Sequence, residues 1–245
     1  MYYEQYGDSK NPTIVFLHGA MTYQSFARQQ ELSDSFHLIF YTLPGHGNDY
    51  QRDFDRNTAI SEVAGLISGL NKKSVHIVGF SLGAQLALSM LDNYSDLIDK
   101  AVIISPLIDS TEIENKILSI NTRLVGYTTK IAPLAKIVSM LIGINRDKFP
   151  EFKREQKNQR VNKLSFSILQ DMLKSENLKN IKSINNPVLI LAGELEYNFF
   201  KRSAQTLSQM IPKSKLELYK GAGHNIPYLF YKKFNKDLRE FLRYV

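Results

Sequence analysis

The chain has no cysteine among its 245 residues, which excludes disulfides, thiolate metal centres and a cysteine nucleophile together. Long hydrophobic runs are also missing. The longest apolar stretches fall well short of a membrane span, and the first residues, "MYYEQYGDSK", lack the basic and apolar regions of a secretory signal. These features lead us to expect a soluble, cytoplasmic protein. An apolar fraction of 43% with 11% aromatic residues is ordinary globular composition, and the length suits one α/β domain. The formal charge is +7, yet no aromatic-interleaved RNA signature and no zinc-ligand spacing accompany it. Neither a nucleic-acid partner nor a metal or other cofactor is therefore expected. Much of the positive charge sits in "KFPEFKREQKNQRVNK", residues 148–163, which reads either as a solvated helix face or as a patch for anionic lipid or an acidic partner.

Short apolar runs alternate with longer periodic segments, as in parallel strands covered by helices. Strands are predicted at Thr13–His18, Leu38–Tyr41, Val75–Gly79, Ala101–Ser105, Val188–Ala192 and Leu216–Tyr219, with an edge strand at Tyr2–Tyr6. Helices are predicted at Thr58–Leu70, Leu82–Tyr94, Phe199–Met210 and Tyr228–Arg243. One interval breaks the alternation. Residues 107–179 carry helical patterns, including Ile131, Leu134, Ala135, Val138 and Ile142, and no convincing strand. We expect a helical cap there, inserted into a core made of residues 1–106 and 180–245.

The stretch "VHIVGFSLGAQLAL", residues 75–88, places Ser81 between Gly79 and Gly83 where a strand pattern gives way to a helix pattern. A strand passing directly into a helix forces the residue at the bend into a strained conformation, and small neighbours let the two elements pack. Ser81 would stand at a helix start, where the unpaired N–H of Leu82 faces any developing negative charge. A serine hydroxyl is a weak nucleophile and needs a base, an orienting acid and a second oxyanion donor. "YKGAGHNIP" offers His224 after the last strand, "LAGELEY" offers Glu194 and Glu196 after the strand before it, and "FLHGAM" offers the N–H of Ala20. Asp109, in "ISPLID", is a further candidate acid.

The strings "HGAM", "LPGHGND", "GFSLGA", "LAGELE" and "GAGHNIP" occur in the order and spacing of the α/β-hydrolase fold, which the chain resembles over nearly its whole length. The resemblance implies an eight-stranded, mostly parallel sheet with the cap after the sixth strand. It also implies Ser81 as nucleophile, His224 as general base and then acid, and the Ala20 and Leu82 amides as oxyanion hole. Seven strands are counted above, so a weak strand in residues 44–56 or an additional N-terminal one is expected. The family's commonest acid, an Asp three residues after a Gly, is replaced here by Glu196, with Asp109 or Glu194 as alternatives.

Of the remaining histidines, His18 is expected to brace the oxyanion turn, His46 to shape the neighbouring Gly-rich loop, His76 to be a satisfied core residue and His37 to be exposed. Phe80, Tyr23 and Phe26 are expected near the mouth of the site. The implied activity is hydrolysis of a short or medium-chain, partly apolar carboxylic ester through an acyl-enzyme. Two alternatives stand beside it: a ligand-sensing or stress-signalling protein with little turnover, and a lyase of the menaquinone pathway. Those lyases carry Tyr before the nucleophile and Arg two residues after the second Gly, where this chain has Phe80 and Gln85.

Overall fold

The computed structural model describes residues 1–20, 22–141, 144, 146–158 and 178–243. Seven strands form one sheet in the order β1-β3-β2-β4-β5-β6-β7: β1 (Tyr2–Tyr6), β2 (Thr13–Leu17), β3 (His37–Thr42), β4 (Val75–Phe80), β5 (Ile98–Ile104), β6 (Val188–Gly193) and β7 (Ser214–Tyr219). Only β1 is antiparallel to its neighbour, β3. The described sheet is thus one strand smaller than the resemblance implies. Residues 44–56 supply no eighth strand, since Gly47–Asp49 forms a 3-10 turn there.

Alternation along the strands sends side chains to two cores. Val15, Leu17, Ile77 and Ile103 pack with α1 (Arg56–Ser68) and α2 (Leu82–Tyr94), while Ile14, Phe16, Val78 and Val102 face the opposite side. Because β2, β4 and β6 are covered on both faces, they are buried throughout and read as continuous apolar runs. The chain places α3 (Glu112–Thr128), α4 (Ala132–Leu141) and α5 (Phe149–Asn158) between β5 and β6. It then adds α6 (Asn198–Met210) after β6, and a short α7 (Ile226–Leu229) and α8 (Tyr231–Arg243) after β7. The inserted helices therefore follow the fifth of the seven described strands. Ile142 and residues 159–163 of the basic segment lie outside the described residues.

Three expectations are corrected. Tyr23–Asp34 forms a 3-10 helix that was not foreseen, and its non-helical backbone at Phe26 turns that ring inward. Phe26 consequently packs on Phe16, 4.9 Å between ring centroids, in the core rather than at a mouth. The helix expected over residues 228–243 is interrupted at Phe230. His37 is 3% exposed, not solvated, because it opens β3 beneath the edge strand. Its Nδ1 lies 3.0 Å from Thr13 Oγ1 and its Nε2 3.2 Å from Gln5 Oε1. His76 is buried as expected, and burial pushes its pKa down to about 4; its Nδ1 lies 3.4 Å from an Asp99 carboxylate oxygen without forming a hydrogen bond.

Candidate active site

Six parallel strands deliver their carboxyl ends to one edge of the sheet, the place where open α/β sheets assemble ligand sites. At that edge β4 runs into α2 through Ser81, whose backbone takes φ 53° and ψ −110°. A non-glycine residue held there is strained. The flanking glycines leave no alternative to close packing. A Cβ on Gly83 would sit 1.9 Å from the Leu17 carbonyl oxygen, and one on Gly79 would sit 2.3 Å from that of Gly83. The bend is anchored from the next strand by the Ser81 N–H donating to the Ile104 carbonyl at 2.9 Å.

The loop after β7 brings His224 over this bend, with Nε2 3.0 Å from Ser81 Oγ. Its Nδ1 is 2.6 Å from a Glu196 carboxylate oxygen. The carboxylate accepts from Nδ1–H, which leaves the Nε2 lone pair facing the serine hydroxyl. The Glu196 side chain is wholly buried, whereas 38% of the His224 side chain remains exposed. Glu196 is fixed by its own turn: its other oxygen accepts from the Gly193 N–H at 2.9 Å, and its N–H donates to the Gly193 carbonyl at 3.2 Å.

The other two carboxylates are engaged elsewhere. Asp109 accepts from Arg202 Nε at 3.1 Å, and Glu194 accepts from the Gly221 N–H at 2.8 Å. Arg202 also binds Glu114 near the start of α3 at 2.7 Å, which holds the Glu114 carboxyl down at about 2.

Two histidines orient the loop that follows β2. His18 donates from Nδ1 to the Gly19 carbonyl at 2.8 Å and accepts the Leu43 N–H on Nε2 at 2.9 Å. Both bonds require a neutral ring, and burial beside His46 holds the His18 pKa well below its ordinary value. The Gly19 carbonyl and the Ala20 N–H belong to one trans peptide and point opposite ways. Pinning the carbonyl to His18 therefore turns the Ala20 N–H to the other side of the loop. His46 Nε2 donates to the next carbonyl, that of Ala20, at 2.9 Å. Leu82 is the first residue of α2, so its N–H has no carbonyl one turn back within the helix.

Aromatic rings flank the His224 imidazole: Phe80 at 4.9 Å and Phe200, stacked, at 4.6 Å. Tyr228 meets Phe80 edge-on and shares a 2.8 Å hydrogen bond with Ser25, whose hydroxyl also accepts the Gly19 N–H at 3.2 Å. Tyr23 is tied instead to α5, its hydroxyl donating to Glu151 at 3.1 Å. Phe200, Tyr228 and Ser25 were not singled out from the sequence; the "YNFF" run after Glu196 was the available signal for the first of them. A fourth such residue is Glu155 of α5. Its carboxylate accepts from Thr22 Oγ1 at 2.6 Å and from the Tyr23 N–H at 3.0 Å, fastening α5 to the loop that carries Ala20. Burial pushes its carboxyl up to about 7.

Among the described residues, no three His, Asp or Glu side chains converge as a metal site. None of the described helices is long and apolar enough to cross a membrane.

Comparison with known proteins agrees with the architecture. The model of the alpha/beta hydrolase family matches residues 14–236. The chain belongs to the alpha/beta hydrolase family. A Bacillus subtilis protein provisionally named 2-succinyl-6-hydroxy-2,4-cyclohexadiene-1-carboxylate synthase is 22% identical, with 96% of this chain and 92% of that protein covered. An ethanol acetyltransferase of Eremothecium cymbalariae is 29% identical over 96 residues, which span 37% of this chain and only 27% of that protein. A crystal structure from a study of carboxylesterases of the thaumarchaeon Nitrososphaera gargenis superimposes with a TM-score of 0.78, at 18% identity, covering 98% of this chain and 93% of that one.

Proposed function

We propose that this family member is a serine hydrolase of carboxylic esters. The observation that carries the reading is the unbroken hydrogen-bonded line from Ser81 Oγ through the His224 ring to the buried Glu196 carboxylate. Ser81 Oγ attacks the ester carbonyl carbon while its proton passes to His224 Nε2. Glu196 holds the tautomer and stabilises the imidazolium that forms. The Ala20 and Leu82 amides donate to the oxyanion. Collapse of the tetrahedral intermediate breaks the carbon–oxygen bond, and His224 protonates the departing alcohol. Water then enters by the same route in reverse, with His224 as base, and releases the acid and free Ser81. No redox step or cofactor enters the balance.

The Phe80 and Phe200 rings beside His224 favour a partly apolar acyl group, short or medium in length. The synthase reading is the weaker one here. The position where such lyases carry a carboxylate-binding Arg holds Gln85, a neutral residue buried in α2 whose amide donates to the Leu107 carbonyl. Ligand sensing with little turnover uses the same residues and differs only in rate.

A p-nitrophenyl ester series from acetate to decanoate tests the proposal. Steady multiple turnover that disappears in Ser81→Ala is expected, with an optimum in acyl length. A single acylation without turnover would point to sensing, and no reaction with any ester would defeat the hydrolase reading.

A further inference from the structure

The inserted helix α3 packs Leu118 against the core but turns a longer row of apolar residues outward. None of its residues is buried. Ile113, Ile117, Ile120, Leu124, Tyr127 and Ile131 are each between 41% and 70% exposed. The five within α3, Ile113 to Tyr127, recur at alternating steps of four and three residues, which at about 100° per residue confines them to one stripe roughly 80° wide, and Ile131 follows in the bend before α4. Leu134, Ile137 and Met140 continue the exposed apolar surface along α4. Along one border of the α3 stripe stand Lys116 and Arg123, seven residues apart, and Lys130 follows in the turn after the helix with its Nζ 6.0 Å over the Tyr127 ring; all three are exposed. Of the two acids in this helix, Glu112 opens that border and Glu114 is held by Arg202.

We propose that the exposed face of α3 and α4 docks on an anionic lipid surface, from which the ester substrate is taken. The docking stands on this face alone; the substrate's origin rests on the ester-hydrolase reading given above. An apolar stripe edged by a regular row of cations is what an interfacial helix presents to headgroups and acyl chains. A second copy of the chain is the poorer match, because it would bring the same cations to the same contact. The stripe also leads to the reacting groups. Asn121 on α3 donates to the Tyr197 hydroxyl at 2.7 Å, and Tyr197 stacks on Phe199 at 5.2 Å. Phe199 meets Phe200 at 4.8 Å, and Phe200 stacks on His224. An aromatic series therefore runs from the proposed docking face to the catalytic base, with Leu195 and Tyr197 exposed beside it.

The test is sedimentation of the whole chain with vesicles of equal parts phosphatidylglycerol and phosphatidylcholine, and with phosphatidylcholine alone. Binding to the mixed vesicles, weakened by salt, is expected. Neutralising the row in Lys116→Gln/Arg123→Gln/Lys130→Gln should lower the partition coefficient by roughly a hundredfold, about fivefold for each cation. Ile120→Ser/Leu124→Ser should lower it by about tenfold or more, since two buried aliphatic side chains are withdrawn from the lipid. Both variants change exposed positions and should hydrolyse soluble p-nitrophenyl acetate at the native rate, while losing activity on a medium-chain glycerol ester carried in the vesicles. No sedimentation of the native chain, or equal sedimentation of the variants, would overturn the proposal. So would a native dimer that Ile120→Ser/Leu124→Ser converts to monomer without any vesicle binding, which would assign the face to a second copy. If vesicle binding depends on these residues but no ester is hydrolysed, the docking stands and the ester reading falls.

Discussion

Two helices that flank the sheet edge, α2 and α3, behave in opposite ways. Ten consecutive residues of α2, Leu82–Leu91, are buried, whereas α3 is longer and buries none. α2 is wedged between the sheet and α1, and the N–H of its first residue, Leu82, has no partner one turn back within the helix. α3 is held at its N-terminus by polar contacts: Thr111 and Glu114 form a reciprocal capping box, and Arg202 bridges Glu114 to Asp109. The contrast separates a region built for fixed geometry from one built to present a surface. The patterns differ accordingly: α2 is apolar on nearly every side over its first ten residues, while α3 gathers Ile113, Ile117, Ile120, Leu124 and Tyr127 on one side.

If the sheet edge holds the chemistry, the largest effect should come from its bend. Ser81→Ala is expected to lower kcat on p-nitrophenyl esters by about five orders of magnitude, since triad members act as a unit. His224→Ala should fall nearly as far, and the double variant no further than the worse single one. Additive losses would show that the two groups act separately. Next in size is the choice of acid. Glu196→Gln should cost roughly a thousandfold to ten-thousandfold in kcat, because the amide no longer enforces the His224 tautomer. Asp109→Asn should leave kcat within about twofold, its native partner being Arg202. A large loss in Asp109→Asn with a small one in Glu196→Gln would reverse the assignment.

The contrast in burial predicts a contrast in stability. Leu86→Ala in α2, at a site 1% exposed, should lower unfolding free energy by about 3 kcal/mol, as large-to-small changes in a packed core do. Leu124→Ala in α3, at a site 60% exposed, should change it by less than about 0.5 kcal/mol. Denaturant midpoints at constant slope measure both. Comparable losses at the two sites would mean that the α3 stripe is covered in solution.

These differences mark how far the sequence could be read. The strand bounds of β1 and the bounds of α2 agree with the pattern to the residue, and the serine bend was legible because its cause is local: two glycines within two residues of Ser81. Strands such as β4 and β6 were legible because burial on both faces leaves no polar alternation to confuse them. What escaped depends on partners far away in the chain. Three carboxylates stayed open as acids until their surroundings were visible, among them Arg202, 93 residues from Asp109. His37 is covered through contacts with Gln5 and Thr13, more than twenty residues before it. Phe26 was misplaced because its partners in the core, Phe16 and Phe234, are distant in sequence and the 3-10 helix that carries it was not foreseen. Glu155 looked like one more charge in a basic run, and only the fold shows it inside the protein, 133 residues from Thr22.

Glu155 is also where the contrast between edge and insertion stops holding, because α5 buries Phe152, Glu155 and Gln156 while its Lys153, Arg154 and Lys157 remain exposed. Its carboxyl titrates near 7 in the folded chain against an ordinary 4.5, because burial disfavours the charge more than its hydrogen-bond donors offset. The folded state therefore holds this proton more tightly than the unfolded state does. The stability it contributes is fully present below about pH 4.5 and is lost as pH rises through about 7. The shift bounds the change over that window at roughly 3 kcal/mol, comparable with the Leu86→Ala loss and within reach of a denaturation curve. Glu155→Gln cannot titrate, so its midpoint should show only the rise with pH that the buried neutral histidines contribute, and the native midpoint should fall relative to it between pH 5 and pH 8. Because Glu155 also holds Thr22 and Tyr23 beside the Ala20 loop, the native chain should loosen that loop over the same pH range and the variant should not. Parallel midpoints for the two chains across the window would remove Glu155 as the titrating tie between α5 and the sheet edge.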